Sequence, residues 1–276
     1  MSDLSFHSSK RAVPAQTLKL TDGRRISFLE SGEGSSVLLL HPIGLSSSCW
    51  HAMAGLLGSR HRVLAPDLAG HGVSDRPAGA LTIGGLADDV AELLEALEVG
   101  PTVVVGLSMG GITALALAER HPALVSSVVV INSLARVPEG MTAALQSRAE
   151  RVRVEGMANL AEETVARWFT SNFAEREPAL VAAVRDELGN DDADVHAEAW
   201  LAMADADFES DLASLPHSLL VITGSLDQSV PETTGARLAA LAPHGHHVHL
   251  HGAGHMSPLE EPDRLAGEIL AFLDQR

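Results

Sequence analysis

The run Gly106-Leu107-Ser108-Met109-Gly110 constrains this chain more than any other, because of what flanks it. Thr102-Val103-Val104-Val105 before it is a short β-branched run with the character of a buried strand, and Gly111 to Arg120 after it reads as helix. Gly-x-Ser-x-Gly at a strand-to-helix turn lets neighbouring backbones pass at close range while the turn adopts a strained conformation. The serine hydroxyl is thereby lifted above the sheet, and the first N–H groups of the helix face it. Without its flanks the pattern says little, since Gly and Ser crowd ordinary loops. Between a strand and a helix it predicts a nucleophile elbow centred on Ser108.

The rest of the chain has the rhythm such an elbow needs. Leu18-Lys19-Leu20 and Ile26-Ser27-Phe28-Leu29 flank Asp22-Gly23, a hairpin signal. Strand-like runs follow at 36–40, 62–65, 102–106, 127–132, 218–223 and 246–250, and helical patterns at 48–57, 82–98, 109–120, 232–241 and 260–274. Apolar strands without alternation, separated by helices, imply a mostly parallel sheet covered on both faces, with the hairpin at its leading edge. The interval 137–212 breaks this pattern: it is rich in Ala, Glu and Arg and holds no strand signal. Met141–Val154, Leu160–Phe169, Pro178–Leu188 and His196–Ala204 predict three or four helices there. They would form a helical cap inserted into a core made of residues 1–136 and 213–276, above the sheet edge where open α/β sheets bind ligands.

A serine hydroxyl needs a base to take its proton, and the base needs an acid to orient it. The elbow architecture takes these in the order Ser, Asp or Glu, His. After Leu219-Leu220-Val221-Ile222 comes Thr223-Gly224-Ser225-Leu226-Asp227, and after Val248-His249-Leu250 comes Gly252-Ala253-Gly254-His255-Met256. Ser108, Asp227 and His255 are therefore the expected catalytic residues; Asp205, Asp207 and Asp211 are nearby acids at the end of the cap rather than after a strand. The oxyanion calls for two N–H donors. Met109 follows the serine, and Ile43 is the donor expected from His41-Pro42-Ile43-Gly44, because Pro42 has no N–H. His41 could shape that loop or touch substrate, and Trp168 and Trp200 could line the pocket or fill the cap interior.

Other features read as structural. His244, His246, His247, His249 and His251 invite a metal, but no carboxylate or cysteine accompanies them at ligand spacing, so no metal and no cofactor are expected. Asp67 to Pro77, with its glycines and His71, describes a tight loop. The formal net charge of −17, with Lys10 and Lys19 the sole lysines, argues against nucleic acid and anionic membranes as partners. An anionic substrate would need local arginines, for which Arg136, Arg148, Arg151 and Arg153 are candidates. One cysteine, Cys49, excludes an internal disulfide and fits a reducing cytoplasm. The N-terminal stretch has no apolar signal region, and no apolar run approaches the ~18 residues of a membrane span.

Taken in order, the oxyanion loop, the Asp67–Pro77 loop, the elbow, Gly224-Ser225-Leu226-Asp227 and Gly252 to Glu260 resemble the α/β-hydrolases of the capped esterase and lactonase kind. The resemblance runs from about residue 16 to the C-terminus. It implies an α/β-hydrolase fold, an eight-stranded sheet beneath a helical lid, and a Ser-Asp-His triad acting without a cofactor on a small-molecule ester or lactone. Within that family, Arg151 to Ala158 and Thr164 to Thr170 resemble the cap of 3-oxoadipate enol-lactonases, although His41-Pro42 departs from that subgroup. The same fold leaves two alternatives: a C–C bond hydrolase of ring-cleavage diketones, and a cofactor-free oxygenase or perhydrolase.

Overall fold

In a computed structural model, which describes residues 15–138 and 140–275, the β-branched runs pair as one sheet. Its strands are β1 (Ala15–Lys19), β2 (Arg25–Ser31), β3 (Ser36–Leu40), β4 (Arg62–Pro66), β5 (Thr102–Leu107), β6 (Val125–Ile131), β7 (Ser218–Gly224) and β8 (Gly245–Leu250). The eight strands lie in the order β1-β2-β4-β3-β5-β6-β7-β8. β2 pairs antiparallel with β1 and β4, and the remaining pairs are parallel. The hairpin expected around Asp22-Gly23 forms the edge, with Lys19 opposite Arg25.

The helices fall on both faces. Before the last core strands come α1 (His51–Leu57), α2 (Ile83–Ala96) and α3 (Met109–Arg120). Thr82 caps α2 by accepting from the Gly85 N–H at 3.0 Å, a contact worth about 1 kcal/mol in such positions. The pattern at 48–57 is a 3-10 turn, Ser47–Trp50, that runs into α1. The residues expected as one helix over 260–274 separate into α10 (Ser257–Glu260) and α11 (Pro262–Leu273), numbered after the five helices below and α9 (Glu232–Leu241). The break at Glu261 follows from Pro262, which disfavours helical backbone in the residue before it.

Between β6 and β7 the chain leaves the sheet as α4 (Thr142–Glu155), α5 (Met157–Trp168), α6 (Ser171–Arg176), α7 (Pro178–Gly189) and α8 (Ala193–Ala204). Five helices stand where three or four were expected. The additional one, α6, has six residues and too little apolar periodicity to register in sequence; Thr170 caps it at its start and Pro178 opens the next helix. Gly156, at φ 75°, separates α4 from α5. α4 packs along α8 and α5 along α7, burying Ala149, Val152, Leu160, Val165, Val184 and Leu188.

The chain reverses its direction of travel across the sheet after β4: β4 lies on one side of β3 and β5 on the other. At such a switch point the loops leaving the two strands part and open a crevice at their C-terminal ends. The loop after β3 begins at His41, and the turn after β5 is Ser108.

Candidate active site

Ser108 sits at φ 53° and ψ −116°, a backbone conformation that a residue with a side chain adopts only under constraint. Its N–H donates to the Ile131 carbonyl at 3.0 Å, and its own carbonyl accepts from Gly111 and Ile112 N–H and from the Ser133 hydroxyl at 2.5 Å. The flanking glycines have a steric reason. A Cβ on Gly106 would lie 2.0 Å from the Gly110 carbonyl oxygen, and one on Gly110 would lie 2.1 Å from the Leu40 carbonyl oxygen. Strand, turn and helix could not close on each other with any larger residue.

Asp227 and His255 meet at the opposite side of the crevice. His255 Nδ1 lies 2.9 Å from Asp227 Oδ2, with side-chain exposures of 2% and 0%. Asp227 Oδ1 accepts from the Ser229 N–H at 2.7 Å, which orients the carboxylate toward the ring. With Nδ1–H given to a carboxylate, Nε2 of the neutral imidazole carries the free lone pair. Ser108 and His255 line one cavity of about 210 Å³. A base and a hydroxyl opening into the same enclosed space form an arrangement suited to acyl transfer.

Sequence reasoning missed the residues that hold this pair in place. Asn132, buried at the end of β6 with φ 44°, accepts from the Gly224 N–H at 2.8 Å and donates to the carbonyls of Gly254 and His255 at 3.1 and 2.8 Å. One amide thus locks the end of β7 to the histidine loop. Glu260 accepts from the N–H groups of Thr170 and Gly254, each at 2.6 Å, and burial pushes its carboxyl up against the pull of those amides. The Trp168 carbonyl accepts from both His255 and Met256 N–H at 3.0 and 3.2 Å. The C-terminal end of α5 is therefore hydrogen-bonded to the loop that presents His255. An Asn directly after a run of β-branched residues was the available signal for Asn132. Glu260 had none, lying in a stretch read as helix.

The residues expected at the oxyanion position, Met109 and Ile43, are both buried. Met109 is the first residue of α3, so its N–H has no acceptor within the helix. Ile43 lines the cavity. His41 is placed otherwise: it is wholly buried behind the loop and does not line the cavity. Its Nε2 accepts from the Leu68 N–H at 2.8 Å, so Nδ1 carries the proton it gives to the Pro42 carbonyl at 2.7 Å. Burial first, then neighbouring His71, pulls its pKa down to about 3, so the ring is neutral at ordinary pH. Trp168 and Trp200 do line the cavity; Trp168 stacks obliquely 5.8 Å from the His255 ring.

A second seam joins the loop after β3 to the inserted helices. Glu187 of α7 accepts from the Ser46 and Ser48 hydroxyls at 2.6 and 3.0 Å, and burial pushes its carboxyl up. Beside it His196 of α8 pairs with Asp191 at 2.7 Å. Asp67 accepts from Ser47 and Val73 N–H at 2.8 and 3.1 Å and ties the tight 67–77 loop to the same region. On β8, His247 and His249 face Thr223 Oγ1 at 2.8 and 3.3 Å. Among the described residues no group of three or more His, Cys, Asp or Glu could hold a metal, and no helix is long and apolar enough to cross a membrane.

Strand order, the elbow and the chain order of serine, acid and histidine are those of one large family. The chain belongs to it: the profile described as "Alpha/beta hydrolase family" matches residues 37–268. Particular relatives narrow the likeness. 3-Oxoadipate enol-lactonase 2 of Acinetobacter baylyi is 32% identical over 240 residues, covering 86% of this chain and 88% of its own length. The crystal structure of the enol-lactonase of Burkholderia xenovorans superposes with a TM-score of 0.89 at 31% identity, over 94% of this chain and 100% of that one. The 2-hydroxymuconate semialdehyde hydrolase of a Pseudomonas species is 32% identical over 273 residues, covering 91% of each chain.

Proposed function

We propose that this protein is a serine hydrolase that cleaves a small carboxylic ester or lactone through an acyl-enzyme. The observation that carries the reading is the buried His255–Asp227 pair, 2.9 Å apart, whose ring opens into the same cavity as Ser108 on its strained turn. Ser108 attacks the carbonyl while His255 Nε2 takes its proton. Asp227 keeps Nδ1 protonated and supports the imidazolium that forms. The N–H groups of Met109 and Ile43 stabilise the oxyanion. His255 next delivers its proton to the leaving oxygen and then activates water for deacylation. In this reading α4–α8 are a cap, residues 137–212, that closes the cavity against water above a core of 1–136 and 213–276. A chain with one cysteine, Cys49, can form no internal disulfide, which supports placing the enzyme in a reducing compartment such as the cytoplasm.

Likeness to the enol-lactonases supports 3-oxoadipate enol-lactone as the first substrate to try. The similarly close semialdehyde hydrolase supports a second reading, hydrolysis of a C–C bond in a ring-cleavage diketone, with the same residues. Turnover of the enol-lactone, p-nitrophenyl acetate and butyrate, and a ring-cleavage diketone decides between them. Fast opening of the lactone assigns the lactonase; fast loss of the diketone alone moves the reaction to C–C cleavage.

A further inference from the structure

Ser133, buried directly after Asn132, borders the cavity beside Ser108, yet its hydroxyl proton is already committed to the backbone. A hydroxyl has one proton to donate. The Ser108 carbonyl at 2.5 Å takes it, since the Leu134 carbonyl stands off at 3.4 Å. The start of α3 is shaped to admit this contact. A Cβ on Gly111 would lie 2.6 Å from the Ser133 Cβ and 2.7 Å from its Oγ, so only glycine there lets Ser133 reach the elbow.

The Ser108 carbonyl also accepts from the N–H groups of Gly111 and Ile112, at 2.9 and 3.2 Å. The first turn of α3 supplies those two. The Ser133 hydroxyl is a third donor, the shortest of the three, and it comes from the loop after β6. That carbonyl and the Met109 N–H are the two ends of one peptide group. Resonance couples them: charge drawn onto the oxygen leaves the N–H more positive. A hydrogen bond accepted at one end therefore strengthens the bond donated at the other, by about 10–30%. We propose that Ser133 is a positioning residue of the reaction: by donating to the Ser108 carbonyl it polarises and orients the Ser108–Met109 peptide, making the Met109 N–H a stronger donor to the oxyanion than the elbow alone would. The inference rests on the hydrolase reading above and adds to it the group that tunes its oxyanion site.

The test is Ser133→Ala, with Ser133→Cys as a variant of similar shape and weaker donor. One oxyanion donor is worth roughly 10²- to 10³-fold in kcat, and weakening it by about 10–30% removes the corresponding power of that factor. Ser133→Ala should therefore lower kcat and kcat/KM together, roughly 2- to 8-fold, and equally for p-nitrophenyl acetate and butyrate. Ser133→Cys should fall between it and wild type, and carries the same comparison if the alanine variant does not fold. The Ki of 1,1,1-trifluoro-2-hexanone, whose adduct on Ser108 carries an oxyanion, should rise by the same factor. A spectroscopic readout separates this role from simple packing. In protein labelled with 15N-methionine, the Met109 amide should move upfield in Ser133→Ala while methionine amides elsewhere hold their positions. An unmoved Met109 resonance, or a change confined to KM, overturns the role of Ser133 and leaves the hydrolase intact. Absence of ester turnover in wild type overturns the hydrolase reading and this inference with it.

Discussion

The two walls of the cavity are built on different principles. On the sheet side, Ser108, Ile43 and His255 stand on turns that leave parallel strands; Ser108 is fixed by backbone hydrogen bonds, and His255 by these and by one buried amide, Asn132. On the other side, Arg148, Trp200 and Met203 project from helices that pack on each other through small apolar residues. The first wall is over-determined, which is what a reaction with near-fixed geometry needs. The second tolerates exchange of side chains without moving the backbone that carries the chemistry. The two faces of this small space are joined at the Trp168 carbonyl and Glu260 on one side and at Glu187 on the other; on the proposed reading the first would hold the chemistry and the second would choose the substrate.

Substitutions on the sheet side should be ruinous to turnover and mild elsewhere. Asp227→Asn would leave the shape intact and offer His255 the wrong hydrogen-bonding partner, so kcat should fall about 10⁴-fold on every substrate, read from steady-state kinetics. Asn132→Ala removes the acceptor for Gly224 and the donor for two carbonyls. Unfolding free energy should drop by about 2–4 kcal/mol, with kcat reduced more than KM is raised. A change in KM alone would show that Asn132 does not align the histidine loop.

On the other wall the effects should be smaller and should depend on the substrate. Trp200→Ala should raise KM about tenfold for the longer acyl chains and hardly alter acetate, a contrast read from a chain-length series. The smallest effect belongs to the Glu187 seam. Burial holds its folded-state pKa above the unfolded value near 4.5, so its contribution is full below that pH and declines as pH rises through the folded pKa. Thermal unfolding of wild type and Glu187→Gln should therefore diverge above about pH 4.5, with wild type losing ground by about 1 kcal/mol toward neutrality. Parallel curves would remove Glu187 from any role in the pH dependence.

The same division explains what the sequence disclosed. β3, β5 and β7 are continuous apolar runs bounded by Gly or Pro, a pattern that fits little except buried parallel strands, and their ends lie within a residue of expectation. Ser108 and Asp227 follow such strands, whereas His255 follows the histidine-rich β8 and was expected from its glycine-flanked loop and from the chain order. The insertion was less so. Its helices alternate charge with alanine, and α6 is too short for periodicity, so their number and their cavity-facing side chains emerge only from packing. Arg167 shows the limit plainly: in sequence it is one arginine among several, and what distinguishes it is a buried Nε with no hydrogen-bond partner among the described residues. His41 illustrates the converse. In sequence a histidine beside the expected oxyanion loop reads as shaping that loop or touching substrate; both its nitrogens are bound to backbone, which is the loop-shaping role.

The most direct test of the account is labelling by a fluorophosphonate, followed by peptide mapping and by ester turnover in Ser108→Ala. The account predicts a single adduct on Ser108, slowed in Asp227→Asn, and loss of both label and turnover in Ser108→Ala while the thermal transition is kept. Ester hydrolysis at the wild-type rate in a folded Ser108→Ala protein would contradict it.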